Sequence, residues 1–484
     1  MPGIPFYRII TSRLAPFWVL LLFIGSHQLS FASSTDFTFK ISVDGIQKSA
    51  PELLSQYIQF QSLSCHEKAA GEWLKKICLE NGLYVSQFGN QDGNYNLAAS
   101  LFPLSKKKPN VIFLNHIDVV DAGDTSTWEH PPFSGLIADE EVWGRGAFDN
   151  KGAAIMQLFS ILKFKSEHEH QNIEYNVTFL AVSCEETMCE GGIDYVLENH
   201  FDELNPVAVL GEGATELGEL ISSKKDEFAF GISIGHKRPL WLELSLNTPS
   251  LGHGSVTPKE YSTKEFTIAL SNLAEKKTPA IFTDENKEIL KFLSDSKKGL
   301  SKLILKHPVF FKPIIVSQLR KEPEIFALFT NTVTITSIET DNKVINKIPQ
   351  SIRATIDCRL LPDTSEEKFL EFVKQALNND DIEVKIIEKM DPLPISNTEN
   401  EFYGHLEHAI KESYENASVF PIILPSFSDV GKFRLKGIQS YSIIPVVLDI
   451  DYLNSIHSEN ERLPISALSQ GIDVYFNFLK QALK

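Results

Sequence analysis

Two adjacent carboxylates, Glu185 and Glu186, close an apolar run that extends from Tyr175 to Cys184. At the end of a buried strand such a pair repels itself unless a proton or a cation neutralises it. A divalent ion answers that need and divides the labour, since one carboxylate can hold the ion while the other accepts the proton of an attacking water. Two further runs end in similar chemistry. Val111-Ile-Phe-Leu-Asn leads into His116 and Asp118, two residues apart and so on one face of an extended chain. The histidine can ligate, and the aspartate can take its second ring N–H and fix the tautomer. Val207-Ala-Val-Leu-Gly leads through a tight turn to Glu212. Between them, Trp143-Gly-Arg-Gly-Ala-Phe brings Asp149 to the start of a helix, its glycines permitting backbone conformations barred to other residues. Far downstream, Ile456-His457-Ser-Glu-Asn-Glu461 adds a second imidazole.

Each feature has a plainer reading alone: His116-x-Asp118 as a surface pair, Asp149 as a helix cap, Glu185-Glu186 as a solvated turn. The glycine-rich loop lacks the Gly-Lys-Ser/Thr ending of a phosphate cradle and puts an acid where a phosphate would sit. Together, however, His116, Asp149, Glu186, Glu212 and His457 supply two imidazoles and three carboxylates. That nitrogen and oxygen mix suits zinc, with cobalt or manganese compatible, and suffices for two ions if one acid bridges. The second acid of the adjacent pair is then free to act as a general base.

The elements that must position these groups are read from periodicity. Leu53, Leu54, Tyr57 and Ile58, then Trp73, Leu74 and Ile77, recur at helical spacing and predict two amphipathic helices before Gly82. Short apolar runs at Tyr95–Leu101, Val111–Leu114, Tyr175–Val182 and Val207–Leu210 alternate with helical patterns at 152–165 and 191–199, which is α/β organisation with a buried sheet. From about 235 to 390 the rhythm changes: strands at Leu240–Leu246, Thr332–Ile338, Ile352–Leu360 and 382–388, with helices after Ser262 and over 365–377, read as an inserted α+β module. Residues 283–331 form a helical addition to it. After Asp391-Pro-Leu-Pro394 the α/β rhythm resumes, with a helix at 400–414, a strand over Tyr441–Val447 and a terminal helix over Ile465–Leu483. The expected domains are therefore 33–234 and 391–484 around a lid at 235–390. Ligand sites in such sheets gather beyond the carboxyl ends of the strands.

The 484 residues, 43% hydrophobic and 23% charged, suit a globular chain of two domains. Arg8 and Arg13, the apolar run Leu14–Gly25, and Ser30 and Ala32 form a signal-peptide pattern over 1–32. The run is short of the ~20 residues a membrane helix needs, so export without a stable span is expected. Removing the leader takes the formal net charge from -17 to -19, which excludes nucleic acid as a natural partner. Five cysteines are too few for a disulfide scaffold, and an odd one stays unpaired within the chain. Cys184 and Cys189 are spaced more loosely than a zinc knuckle and read as structural.

In order and context these motifs resemble the two-zinc metallopeptidase family of aminoacylase, glutamate carboxypeptidase, acetylornithine deacetylase and succinyl-diaminopimelate desuccinylase. The runs His116-Ile-Asp118-Val-Val, Trp128–Gly135, Gly144-Arg-Gly-Ala-Phe-Asp149-Asn-Lys and His457-Ser-Glu-Asn-Glu461 most resemble its carboxypeptidase S and N-fatty-acyl-amino-acid hydrolase branch. The resemblance implies a zinc-exopeptidase-like catalytic domain with a central mixed sheet, two zinc ions per subunit, and a lid that pairs subunits into a homodimer. It implies that Asp149 bridges, that His116 and Glu212 complete one site, that Glu186 and His457 complete the other, and that Glu185 is the general base. His253, in Gly252-His-Gly-Ser, would help polarise the substrate carbonyl. Asn346 and Arg359 would hold the substrate, Arg359 gripping a terminal carboxylate with its two-pronged guanidinium. Gly211-Glu-Gly-Ala and Gly235-His-Lys-Arg depart from the branch's usual Asp-Glu-Gly-Gly and Ser-Glu-Lys-Gly. Two activities follow: release of a C-terminal amino acid from a small peptide, or cleavage of an N-acyl amino acid. A catalytically inactive relative that uses the cleft only to bind is the remaining reading.

Overall fold

Runs too apolar to meet water on either face become the interior strands of one sheet. The computed structural model describes residues 38–89, 94–168, 173–218, 228–296 and 299–483. The expected leader at 1–32 lies outside them. Twelve strands build the two larger sheets: β1 (Tyr84–Phe88), β2 (Asn96–Ser100), β3 (Asn110–His116), β4 (Asn176–Val182), β5 (Pro206–Gly211), β6 (Ala229–His236), β7 (Arg238–Asn247), β8 (Thr332–Thr340), β9 (Ser351–Leu360), β10 (Glu383–Lys389), β11 (Ser418–Leu424) and β12 (Gln439–Ser442).

Eight of them form a mixed sheet in the order β11-β6-β12-β5-β3-β4-β2-β1. β12, β5, β3 and β4 run parallel, as do β6 and β11; β6 meets β12 antiparallel, and at the far edge β2 runs antiparallel to both β4 and β1. Alternation along β3 and β4 feeds two cores. Val111, Phe113, Val177 and Phe179 pack with Ile155, Leu158 and Phe159 of the Lys151–His168 helix, which lies against the terminal helix Ile465–Ala482. Ile112, Leu114, Leu180 and Val182 face the other way, onto Val196, Leu197 and Phe433. Helices thus cover both faces and leave the carboxyl ends of β3, β4 and β5 side by side.

Between β6 and β11 the chain departs into an antiparallel sheet of order β8-β9-β7-β10. Leu240, Leu242, Leu244 and Leu246 bury one face beneath helices Ser262–Glu275 and Glu366–Leu377, while Trp241 and Glu243 on the other face stay partly exposed. A central mixed sheet with an inserted domain is the resulting architecture.

Two local expectations are corrected. The apolar stretch Tyr441–Val447 leaves the sheet at Ser442, because Gly211 ends β5 and Pro445 has no N–H to give a ladder. Ile443 and Ile444 instead donate to the carbonyls of Gly211 and Ala214. The helical addition also packs away from the inserted sheet. Its Ile289, Leu290 and Ile315 join Ala229, Phe420 and Ile422, and Phe292 stacks on Phe420 at 5.2 Å, so it shields the edge strand β11. Among the described residues no helix is long and apolar enough to cross a membrane.

Candidate metal centre

His116 is the last residue of β3, and its imidazole is buried. Nδ1 lies 2.9 Å from the backbone carbonyl of Asp118 and 3.4 Å from that residue's Oδ1, so the ring proton sits on this side. Nε2 then carries a lone pair, yet it points at two further acceptors, Oδ1 of Asp149 and Oε2 of Glu212, both at 3.2 Å. His457 repeats the arrangement: its Nε2 is 3.2 Å from Oδ2 of Asp149 and 3.2 Å from Oε2 of Glu186. Asp149 therefore gives one oxygen to each histidine. Lone pairs aimed at carboxylate oxygens repel unless something positive stands between them.

A proton or a cation can serve that purpose. Burial opposes charge on His116, but Glu212 and the hydrogen bonds of Asp118 and Asp149 outweigh it and raise its pKa well above the usual value. His457, half exposed, is raised to about 10 by its bonds to Asp149 and Glu186. Burial would raise the pKa of Asp149, and the two histidines reverse this and lower it. Glu185 is raised well above the carboxylate range by burial and then by Glu212. Oε1 of Glu186 is buried with no hydrogen-bond partner among the described residues. Two imidazoles, three carboxylates and an orphaned carboxylate oxygen are a donor set that fits divalent-cation binding.

Local sequence explains the placement. Gly146, at φ +84°, bends the loop before Asp149, and the Asp149–Asn150 peptide is cis. A side chain at Gly213 would press within 2.4 Å of the Ser442 backbone, so glycine lets the segment after Glu212 run against β12. Asn150 hydrogen-bonds Oε2 of Glu212. Asp118 does more than orient His116. Its carboxylate accepts the Ser64 hydroxyl at 2.7 Å and the backbone N–H groups of Glu185 and Glu186 at 3.1 Å each, fixing the turn that presents the acid pair. Cys184 and Cys189 form a disulfide that closes a loop around the same two acids, and Cys65 Sγ lies 3.7 Å from Cys184 Sγ.

Sequence reasoning gave no role to Glu461. It is buried and accepts from Arg145 Nη1 at 2.8 Å and from the N–H groups of Gly146, Phe148 and Asp149 at 2.9–3.0 Å. An acid four residues after His457 is a weak signal, because its partners are backbone atoms that sequence does not advertise. Asp429 was missed too. It is buried in the small recess lined by His116, Glu185 and Glu212, with Oδ2 unpartnered among the described residues.

The expected substrate residues lie on the inserted domain. His253 accepts the Ser255 N–H through Nδ1 at 3.0 Å and meets the Asn346 side-chain amide through Nε2 at 3.0 Å, in an exposed loop pair. None of their hydrogen bonds reaches the acid cluster. Arg359 gives one edge of its guanidinium, Nε and Nη2, to Asp357 with bonds of 2.9 and 3.2 Å. The unanswered cation nearby is Lys237, between β6 and β7. It is buried, its Nζ has no partner among the described residues, and its pKa falls to about 7 through burial and then Arg359. Gly231-Ile-Ser-Ile-Gly235 has the spacing of a serine-hydrolase elbow, but Ser233 lies buried within β6 and its hydroxyl donates to the Gly235 carbonyl at 2.8 Å.

Acids and imidazoles gathered at the strand ends of a mixed sheet, beside an inserted antiparallel domain, are the arrangement of a metallopeptidase- or acylase-type hydrolase. The chain belongs to peptidase family M20/M25/M40, whose family model matches residues 112–481. It is similar to "Probable carboxypeptidase S-like 2" of Dictyostelium discoideum, 26% identical over 395 residues, covering 81% of this chain and 75% of the relative. It is also similar to the "N-fatty-acyl-amino acid synthase/hydrolase PM20D1" of Mus musculus, 28% identical over 396 residues, covering 79% and 76%. In fold it is similar to the M20 family metallo-carboxypeptidase Sso-CP2 of Sulfolobus solfataricus, with a TM-score of 0.66 at 22% identity over 90% of this chain and 99% of that one.

Proposed function

We propose that this chain hydrolyses the amide bond beside an amino acid with a free carboxylate, using two zinc ions held by His116, Asp149, Glu186, Glu212 and His457. One observation carries the reading: the two oxygens of Asp149 face two separate pairs, His116 with Glu212 and His457 with Glu186. When bound, the ions supply Lewis acidity toward the scissile carbonyl and the attacking water. Glu185, buried and raised in pKa by its surroundings, accepts the water's proton and returns it to the leaving amine nitrogen. Asp118 holds Glu185 in place through its backbone. His253, steadied by Asn346, polarises the carbonyl from the inserted domain. Lys237, with Arg359 beside it, receives the substrate carboxylate. The N-terminal leader pattern supports an exported enzyme.

On the acyl side of the bond, a small peptide is the first reading, as in a carboxypeptidase or dipeptidase. An N-acyl amino acid is the second, favoured by the likeness to the synthase/hydrolase relatives. The test is mass spectrometry on purified protein offered dipeptides and N-acyl amino acids together, before and after a chelator and after zinc is restored. Cleavage that follows the metal supports the hydrolase, and the class consumed selects the substrate. No cleavage of either class by metal-loaded protein would sink the reading.

A further inference from the structure

The helical addition carries a surface that the hydrolytic centre does not use. Helices Gly299–Lys306 and Lys312–Leu319 are joined by a turn that bears Val309 and Phe310. Phe310 is 80% exposed, Val309 74% and Leu300 68%, and Leu303 and Ile314 are about half exposed. These are not spare core residues. The inward side of the segment is already filled, with Ile315 and Leu319 buried in the Phe420 cluster and Phe311 packed on it.

Charge identifies what the outward side meets. Residues 297–321 hold seven basic residues and no acidic one, in a chain of net charge -17. The preceding helix, Asp284–Ser296, has four acids, and three are paired: Asp284 with Lys287 at 2.7 Å, Glu288 with Lys291 at 3.0 Å and Asp295 with Lys302 at 3.3 Å. The exposed Val309 and Phe310 stand on the turn, with Lys306 before them and Lys312 after. Exposed apolar side chains enter a fluid headgroup layer without needing a matching pocket, and lysines flanking them meet phosphates there. Neither helix is long enough to cross a bilayer, so the element lies on the surface.

We propose that this helix–turn–helix segment docks the protein on the surface of an anionic lipid bilayer, with Val309 and Phe310 entering the acyl boundary and the lysines among the headgroups. Ala214 and Leu217, in the segment leaving Glu212, pack against the same cluster that seats the addition. The proposal stands whether the substrate is a peptide or an N-acyl amino acid.

The test is co-sedimentation of the purified protein with vesicles of phosphatidylcholine, alone or mixed with phosphatidylglycerol. The protein is expected to pellet with the mixed vesicles, little with the neutral ones, and less as salt is added. Phe310→Asp should weaken binding about tenfold or more and Lys306→Gln about fivefold, with unchanged circular dichroism and unchanged turnover of a soluble substrate. Absence of binding to mixed vesicles, or undiminished binding by Phe310→Asp, overturns the proposal. So does self-association seen by light scattering and lost in Phe310→Asp without vesicle binding, since the surface then serves a second copy of the chain.

Discussion

The carboxylate of Glu461 accepts the backbone N–H of Asp149 at 3.0 Å, across 312 residues of sequence. The same group holds Gly146, Phe148 and Arg145, so one buried acid sets the loop that delivers Asp149. Gln is the informative replacement, because its amide keeps one acceptor but turns an N–H toward backbone donors. Glu461→Gln should lower zinc affinity about 10–100-fold, the usual cost of losing a group that orients a ligand. Competition against a chromophoric chelator measures this directly, and wild-type affinity in the variant would show that the loop holds itself.

Glu185 differs from its neighbour in what it lacks. Glu186 reaches His457 at 3.2 Å, whereas Glu185 is held through its backbone, to Asp118, and its side chain is left for chemistry. Glu185→Gln should therefore bind zinc nearly as the wild type does while turnover falls about a hundred- to ten-thousandfold. Metal analysis and steady-state rates on one preparation separate the two effects. Retained turnover would remove Glu185 from proton transfer, and lost metal would make it a ligand.

How much of this was legible follows from where each signal resides. His116, Glu186 and Glu212 each end a short apolar run, and a polar group at a buried strand end is visible in one sequence. Asp149 is marked by its glycines. Glu461 and Lys237 are not marked, since one acts on backbone N–H groups and the other matters because a partner is missing. β6 escaped notice because its glycines dilute the strand pattern, and β11 because Pro421 interrupts it. Periodicity found the 283–331 helices but could not say that they pack on β11, because a pattern names a buried face and not its partner.

Lys237 gives a binding prediction with a pH signature. A buried ammonium without a partner costs stability, and a substrate carboxylate would relieve that cost. Lys237→Met should raise KM by about tenfold or more with kcat little changed, because the lost contact is made equally in ground and transition states. With its pKa near 7, Lys237 is charged below that pH and neutral above it, so substrate affinity of the wild type should fall as pH rises through about 7. Isothermal titration with a non-hydrolysed analogue checks this, and equal affinities across that range in wild type and Lys237→Met would dismiss the assignment.

His236 gives the fold its own acid sensitivity, independent of the metal ligands. It is fully buried; Nδ1 accepts from Arg434 Nη1 at 2.9 Å, and Nε2 faces the hydroxyls of Ser442 at 3.2 Å and Ser428 at 3.5 Å. The hydrogen-bonded charge here is thus a guanidinium, whose remaining bonds go to the Ser440 carbonyl and the Ser396 hydroxyl. Burial, and then Arg434, lower the His236 pKa well below 6.5. Between that depressed value and 6.5 the unfolded chain binds a proton that the folded chain refuses. Stability from this group is therefore complete above 6.5 and lost as pH falls toward the folded value. Urea unfolding of wild type and His236→Gln, both with chelator present so that metal binding contributes to neither, should show the steeper acid loss in the wild type. Parallel pH profiles would mean that the imidazole relaxes onto water when protonated and that the packing around Arg434 is looser than its hydrogen bonds imply.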